Sequence, residues 1–218
     1  MTYLGKVTHG GPPQVRELTL LIISKMSVGD FDNNTYLLRC QDTGEQLLID
    51  AAAEPDRILQ LVGDTGLATI VTTHRHGDHW QALADVSSAT GAATYAGADD
   101  ADGIPVPTDH PLTDGDEVTV GRCTLQVIHL VGHTPGSVAL LYDDPEGTPH
   151  LFTGDSLFPG GIGNTFGSEE NFRSLLHDVR TKIFDRLPDE TWFYPGHGND
   201  SVLGEERPHL PEWEARGW

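Results

Sequence analysis

Thr73-His74-Arg75-His76-Gly77-Asp78-His79 sets three imidazoles and a carboxylate within six residues, directly behind the apolar run Thr69 to Thr72. A lone histidine is ordinarily a surface group or a satisfied core residue. Four ligand-type groups crowded at a strand end face desolvation and mutual charge costs that only a cation offsets. Imidazole and carboxylate donors without thiolate suit zinc first, with iron or manganese also admitted, because such a set discriminates weakly among first-row metals. Four sequence neighbours cannot all surround one ion comfortably. The spacing therefore turns His74 and His76 toward one metal and Asp78 and His79 toward a second.

Further ligands must come from later in the chain. Three candidates stand at the ends of strand-like runs, each beside glycine: His133 in Val131-Gly132-His133-Thr134-Pro135-Gly136, Asp155 in Phe152-Thr153-Gly154-Asp155, and His197 in Tyr194-Pro195-Gly196-His197-Gly198. Glycine permits the sharp turn and close backbone approach that a side chain needs to point from a strand's exit into a shared cleft. The candidate ligands for two divalent metal ions are thus His74, His76, Asp78, His79, His133, Asp155 and His197, with Asp78 and Asp155 the catalytic carboxylates. Asp50, which ends the run Leu47 to Ile49, is placed to accept a hydrogen bond from a ligand imidazole or a loop amide. His9, His110, His129, His150, His177 and His209 read as non-ligands.

Outward from these motifs, strand-like runs fall at Leu18 to Ile23, Thr35 to Arg39, Gln46 to Ile49, Ala68 to Thr72, Thr124 to His129, Val138 to Tyr142 and Thr191 to Tyr194. Helices are expected over Asp56 to Val62, after Pro55, and over Gln81 to Ala89. The clearest helix follows the N-cap Ser168 and carries Phe172, Leu175, Leu176, Val179, Ile183 and Phe184 on one stripe. Early strands followed by alternating strands and helices give an α/β protein with helices outside its sheets, and 218 residues fit one domain over 1–218. Residues 97–116, rich in Gly, Pro and Asp, read as a long surface loop that could shape a binding mouth.

The chain carries 13 Lys and Arg against 33 Asp and Glu, a formal charge of −20, whose field repels nucleic-acid phosphates and anionic membranes. A small-molecule substrate is the partner that remains. Residues 1–11 lack a secretory apolar stretch and nothing approaches the ~20 apolar residues of a membrane span, so a cytoplasmic location is expected. Cys40 and Cys123, without Cys-x-x-Cys spacing, read as buried hydrophobes.

The order His-x-His-x-Asp-His, then His, Asp and His, resembles the signature of the metallo-β-lactamase fold superfamily over nearly the whole chain. The resemblance implies an αβ/βα four-layer sandwich with the metal cleft at one edge of the two sheets. It further implies that His74, His76 and His133 take one metal, that Asp78, His79 and His197 take the other, and that Asp155 bridges them. Within the superfamily the chain is most similar to glyoxalase II (hydroxyacylglutathione hydrolase) and its short bacterial relatives, through Asp32-Asn33-Asn34-Thr35-Tyr36, His133-Thr134-Pro135-Gly136-Ser137, Gly154-Asp155-Ser156-Leu157-Phe158 and Pro195-Gly196-His197-Gly198. The activity so implied is hydrolysis of thioesters or related small acyl compounds by a hydroxide held between two metals. Glutathione itself is expected to be a poor thiol carrier: the chain stops at Trp218 without the basic helical domain, and Asn164 stands where a basic residue is usual. Trp80 replaces a small aliphatic residue and is expected to alter the pocket. The competing expectations are a mononuclear-iron persulfide dioxygenase-like oxidoreductase, a lactone hydrolase and a non-enzymatic metal-binding module.

Overall fold

A computed structural model describes residues 3–217. One sheet takes the first seven strands in chain order: β1 (Gln14–Glu17), β2 (Leu21–Val28), β3 (Asn33–Cys40), β4 (Gln46–Ile49), β5 (Thr69–Thr72), β6 (Ala93–Gly97) and β7 (His110–Leu112). Its hairpins run antiparallel as far as β4, and β4 to β7 are parallel. The second sheet comprises β8 (Glu117–Val120), β9 (Cys123–His129), β10 (Val138–Tyr142), β11 (His150–Gly154), β14 (Trp192–Pro195) and β15 (Ser201–Val202), in the order β15-β14-β11-β10-β9-β8. A small hairpin, β12 (Leu157–Phe158) with β13 (Gly161–Ile162), follows β11.

Both sheets are covered on both faces, so their central strands alternate between two apolar environments instead of between core and water. Leu38 and Leu47 face the other sheet, whereas their neighbours Leu37 and Leu48 face outward onto α1 (Pro55–Val62) and α2 (Leu83–Thr90) through Ile58, Val62, Leu83 and Val86. In the second sheet Leu140 and Phe152 point inward. Ala139, Leu151 and Phe193 point outward onto α3 (Glu169–Asp178) and α5 (Leu210–Arg216), which follows the single turn α4 (Leu203–Glu206). The result is the expected αβ/βα four-layer sandwich. Its helices obey local chemistry: Pro55 opens α1, and the Ser168 hydroxyl accepts from Asn171 N at 3.2 Å to cap α3. The apolar stripe predicted beyond α3 continues through a π-helical turn, Val179–Phe184, which keeps Val179, Ile183 and Phe184 buried.

Several boundaries differ from the sequence reading. The first long strand begins at Leu21, because Leu18 to Leu20 form the turn closed by Leu18 N donating to Leu21 O. The helix expected at Gln81 begins at Leu83. Residues 97–116 are more ordered than a surface excursion: they hold a 3₁₀ turn, Ala101–Gly103, and strand β7. Cys40 and Cys123 are free thiols buried between the sheets, as expected. Among the described residues no helix is long and apolar enough to cross a membrane.

Candidate metal centre

All seven sequence-selected side chains meet at one rim of the sandwich, beyond the ends of β5, β9, β11 and β14. Their donor atoms form three overlapping triplets, each within 4.8 Å: His74/His76/His133, His74/His79/Asp155 and Asp78/His79/His197. The outer two group the same side chains that the resemblance assigns to the two metals. The middle one joins a histidine from each to Asp155, whose Oδ2 lies 3.6 Å from both His133 Nε2 and His197 Nε2. The six other histidines join no such group among the described residues.

Glycine is required where the backbone passes closest to these groups. A β-carbon on Gly196 would stand 2.2 Å from Asp155 Oδ1 and 2.8 Å from His79 Cε1, and one on Gly163 would lie 1.8 Å from the Asp155 carbonyl oxygen. Either contact is shorter than any side chain tolerates, so these turns admit hydrogen alone.

Hydrogen bonds behind the site settle which way each imidazole presents its lone pair. His133 Nδ1 donates to Asn164 O at 2.8 Å and His197 Nδ1 donates to Phe31 O at 2.9 Å, since a carbonyl only accepts. His79 Nδ1 donates to Asp50 Oδ2 at 2.8 Å. The Thr73 hydroxyl spends its one proton on Asp50 Oδ2 at 2.8 Å, so at 3.1 Å it accepts from His74 Nδ1. Four imidazoles therefore carry a proton on Nδ1 and turn Nε2 inward, where it offers a lone pair once the ring is neutral. His76 presents Nδ1 instead, 2.9 Å from His133 Nε2, while His74 Nε2 is 3.3 Å from that same atom.

Three supporting residues go beyond what the sequence revealed. Asn33, quoted above only as part of a motif, donates to Asp78 Oδ2 at 3.0 Å and stands 3.4 Å from both His79 Nε2 and His197 Nε2. Asp100, in the stretch read as a surface loop, is fully buried. It accepts from Arg75 N and Gly136 N, each at 3.0 Å, and from the Thr134 hydroxyl, so one carboxylate braces the His74 and His133 loops together. Lys25 is fully buried as well: its ammonium donates to Gly198 O at 2.8 Å, to Gly5 O at 3.0 Å and to Asp200 Oδ1 at 2.6 Å, holding the segment after His197. The Trp80 indole donates to Arg75 O at 2.8 Å and its ring packs against the cores of α1 and α2.

Without a cation the site collects positive charge where it can. Burial, reinforced by the neighbouring His79, pushes the His74 pKa well down, and burial likewise lowers His76 and His133. At His197 burial opposes protonation, yet hydrogen bonds to Asp155 and Asp78 raise its pKa to about 9; His79 is raised by Asp50 and Asp155 against the same opposition. Asp78 is held well below the usual carboxylate range by its hydrogen bond from His197. Asp155 is held low against the cost of its burial by His197 and His79. Its Oδ1 is buried and accepts no hydrogen bond, with His79 Nε2 at 3.4 Å. Inward lone pairs, an orphaned carboxylate oxygen and no thiolate fit divalent cations better than any arrangement of protons.

The sequence model of the metallo-β-lactamase superfamily matches residues 28–197, which contain all seven side chains. The hydroxyacylglutathione hydrolase of Fuscovulum blasticum is 36% identical over 169 residues, covering 76% of this chain; the chain spans only 62% of that relative's length. A probable metallo-hydrolase of Bacillus subtilis, YqgX, is 30% identical over 86% of this chain and 95% of its own. The solved di-iron-bound form of TTHA1623 superposes with a TM-score of 0.69 at 30% identity, covering 84% of this chain and 96% of that one. The fold, the order of ligand-type residues along it and these matches agree: the chain belongs to the metallo-β-lactamase superfamily.

Proposed function

We propose that this protein is a dinuclear metal-dependent hydrolase of small acyl compounds, thioesters above all. The observation that carries the reading is the convergence of the two outer triplets on Asp155, whose Oδ2 is equidistant from His133 and His197. His74, His76 and His133 would hold one ion, Asp78, His79 and His197 the other, and Asp155 both. Bound there, two divalent cations supply a water of depressed pKa and Lewis-acidic polarisation of a carbonyl. Support for two ions comes from TTHA1623, solved in a di-iron-bound form, support for hydrolysis from YqgX, named a probable metallo-hydrolase, and support for acyl chemistry from the relative named hydroxyacylglutathione hydrolase.

The chain's own residues do the positioning. Asp50, Phe31 O and Asn164 O fix imidazole orientation, while Asn33 holds Asp78 through its Oδ2. Asp78, a quarter exposed, would accept a hydrogen bond from the attacking water. In the overall step a water oxygen bonds to the acyl carbon, the carbon–sulfur bond breaks with its electron pair on sulfur, and the water's proton passes to the departing thiolate. A thiolate leaves readily, so no acid group beside it is required.

Metal analysis of protein purified without added metal tests the reading, paired with thioester hydrolysis and with oxygen uptake on a thiol persulfide. Two ions per chain with thioester cleavage and no oxygen consumption are expected. One iron per chain with persulfide-dependent oxygen uptake would overturn it.

A further inference from the structure

Cys40 ends β3 in the first sheet and Cys123 begins β9 in the second, and these are the chain's only two cysteines. Leu20 O brings them together: it accepts from Gln41 N, next to Cys40, at 2.8 Å and from Cys123 Sγ at 3.5 Å. From the other side Arg122 N, one residue before Cys123, donates to Cys40 Sγ at 3.4 Å, and the Cys123 thiol interacts with the Cys40 sulfur directly. Both side chains are buried, yet their cover is thin. Gly121 in the β8–β9 turn lies so close that a β-carbon on it would stand 2.8 Å from Cys40 Sγ, and the adjoining Gln41, Asp42, Thr43 and Arg122 are exposed.

A sulfur that serves as a small hydrophobe is packed among carbons. Cys40 Sγ instead gathers donors: the backbone N–H groups of Arg122, Asp42 and Thr43 and the Thr43 hydroxyl. Burial opposes its ionisation, but these bonds bring its pKa down to about 7, whereas burial and the neighbouring Cys40 push Cys123 up to about 11. The pair is therefore asymmetric, with one thiol ionised near neutral pH beside a second that keeps its proton.

We propose that Cys40 and Cys123 form a reversible redox site, at which hydrogen peroxide oxidises Cys40 and Cys123 converts the product to a disulfide tying the two sheets together. The Cys40 thiolate attacks one peroxide oxygen, the O–O bond breaks, and the departing hydroxide takes up the proton that Cys40 released, leaving as water. Cys40 is then a sulfenic acid. Cys123 Sγ bonds to Cys40 Sγ, the S–O bond breaks, and the hydroxide leaves with the Cys123 proton as a second water. Two electrons have passed from the sulfurs to peroxide, and an oxidant this small needs only a local opening of the exposed hairpin turn. The site lies about 23 Å along β3 from Asn33, so the metal centre is spared.

The test treats the zinc-loaded protein with hydrogen peroxide, denatures it in N-ethylmaleimide and maps it by mass spectrometry. The native protein should lose both thiols together, yield a Cys40–Cys123 linked peptide and recover both thiols with dithiothreitol. Its unfolding midpoint should rise by about 5–15 °C on oxidation, with metal content unchanged. Cys123→Ala should stop at a sulfenic acid on Cys40, trapped by dimedone. In Cys40→Ala the remaining thiol should react at least about tenfold more slowly than Cys40 does. Thiols that stay free while N-acetylcysteine is consumed beside them, disulfides between chains in place of the internal link, an unchanged midpoint or Cys123 oxidised ahead of Cys40 would each overturn the proposal. Should either variant fail to fold, the linked peptide and the midpoint of the native protein decide it alone.

Discussion

Replacing Asp50 with asparagine changes one oxygen for an NH₂ and should disturb two metal ligands. Asp50 sits at φ 58°, a conformation asparagine adopts at least as readily, so the backbone is spared. Its oxygens accept from Thr73 N at 2.7 Å, from the Thr73 hydroxyl and from His79 Nδ1. If the amide oxygen stays opposite Thr73 N, the new NH₂ faces the other two donors. The hydroxyl then rotates to accept and sends its own proton to His74 Nδ1, while His79 Nδ1 must also become an acceptor. Both imidazoles thereby move a proton to Nε2, the atom that faces the metals. The flipped amide is no better, since it sets NH₂ against Thr73 N. Losing one outer partner typically costs ~10- to 100-fold in metal affinity, and His74 and His79 belong between them to all three triplets, so affinity should fall at least about 100-fold at both positions. The opposed donors cost ~1–3 kcal/mol of folding stability, which leaves the apoprotein folded if its stability is the usual ~5–15 kcal/mol. Chelator competition gives the affinity, and thermal unfolding of the metal-free protein gives the second term. Thr73→Val, which removes the relay to His74 but leaves His79 on Asp50, should weaken binding by the single-partner amount. Affinity within threefold of the native value in Asp50→Asn would refute the proton relay.

Asp155→Ala should empty both metal positions, whereas Asp78→Ala should spare the one built on His74, His76 and His133; metal content per chain separates them, and equal losses would contradict the bridging role. Gly196→Ala drives a β-carbon to 2.2 Å from Asp155 Oδ1 and should abolish metal binding for an overpacking cost in stability of about 1–3 kcal/mol; retained metal would show that the turn can yield. Burial holds His150, beside Tyr194 Oη, down at a pKa of about 3. Between pH ~6.5 and 3 the unfolded chain therefore binds a proton that the native protein refuses, and stability falls as pH falls, by up to about 1.4 kcal/mol per pH unit. Urea midpoints at pH 7 and 4.5 should differ less in His150→Gln than in the native protein.

The seven converging side chains were legible because their chemistry is concentrated in residue type: imidazoles and carboxylates at strand exits beside glycine have few structural uses. Asp50 was legible as a supporting acceptor, though its three simultaneous bonds were not. Asn33 was visible as a motif without a role, because its function depends on β3 beginning beside His197, a pairing 164 residues distant. Asp100 was hidden for a different reason. An aspartate among Gly, Pro and Asp reads as solvated, and only contacts 25 to 36 residues away make it a buried acceptor. Among the strands, β6, Ala-Thr-Tyr-Ala-Gly, has β-favouring residues only at Thr94 and Tyr95, too short a run to stand out from the sequence, and it pairs between β5 and β7.

The bonds around Lys25 also bear on the order in which the molecule is made. Its partners Gly198 and Asp200 follow it by 173 and 175 residues, so while the chain emerges from the ribosome Lys25 lies in a nascent sheet without a counter-charge. A buried ammonium lacking its partner costs about 3–5 kcal/mol, which keeps β2 from settling into its final burial until the last strands arrive. The His74–His79 cluster waits through the same interval without His133, Asp155 or His197. Translation thus delivers half a metal site long before the other half, and the lysine that fastens the His197 segment is the group that delays closure until both are present.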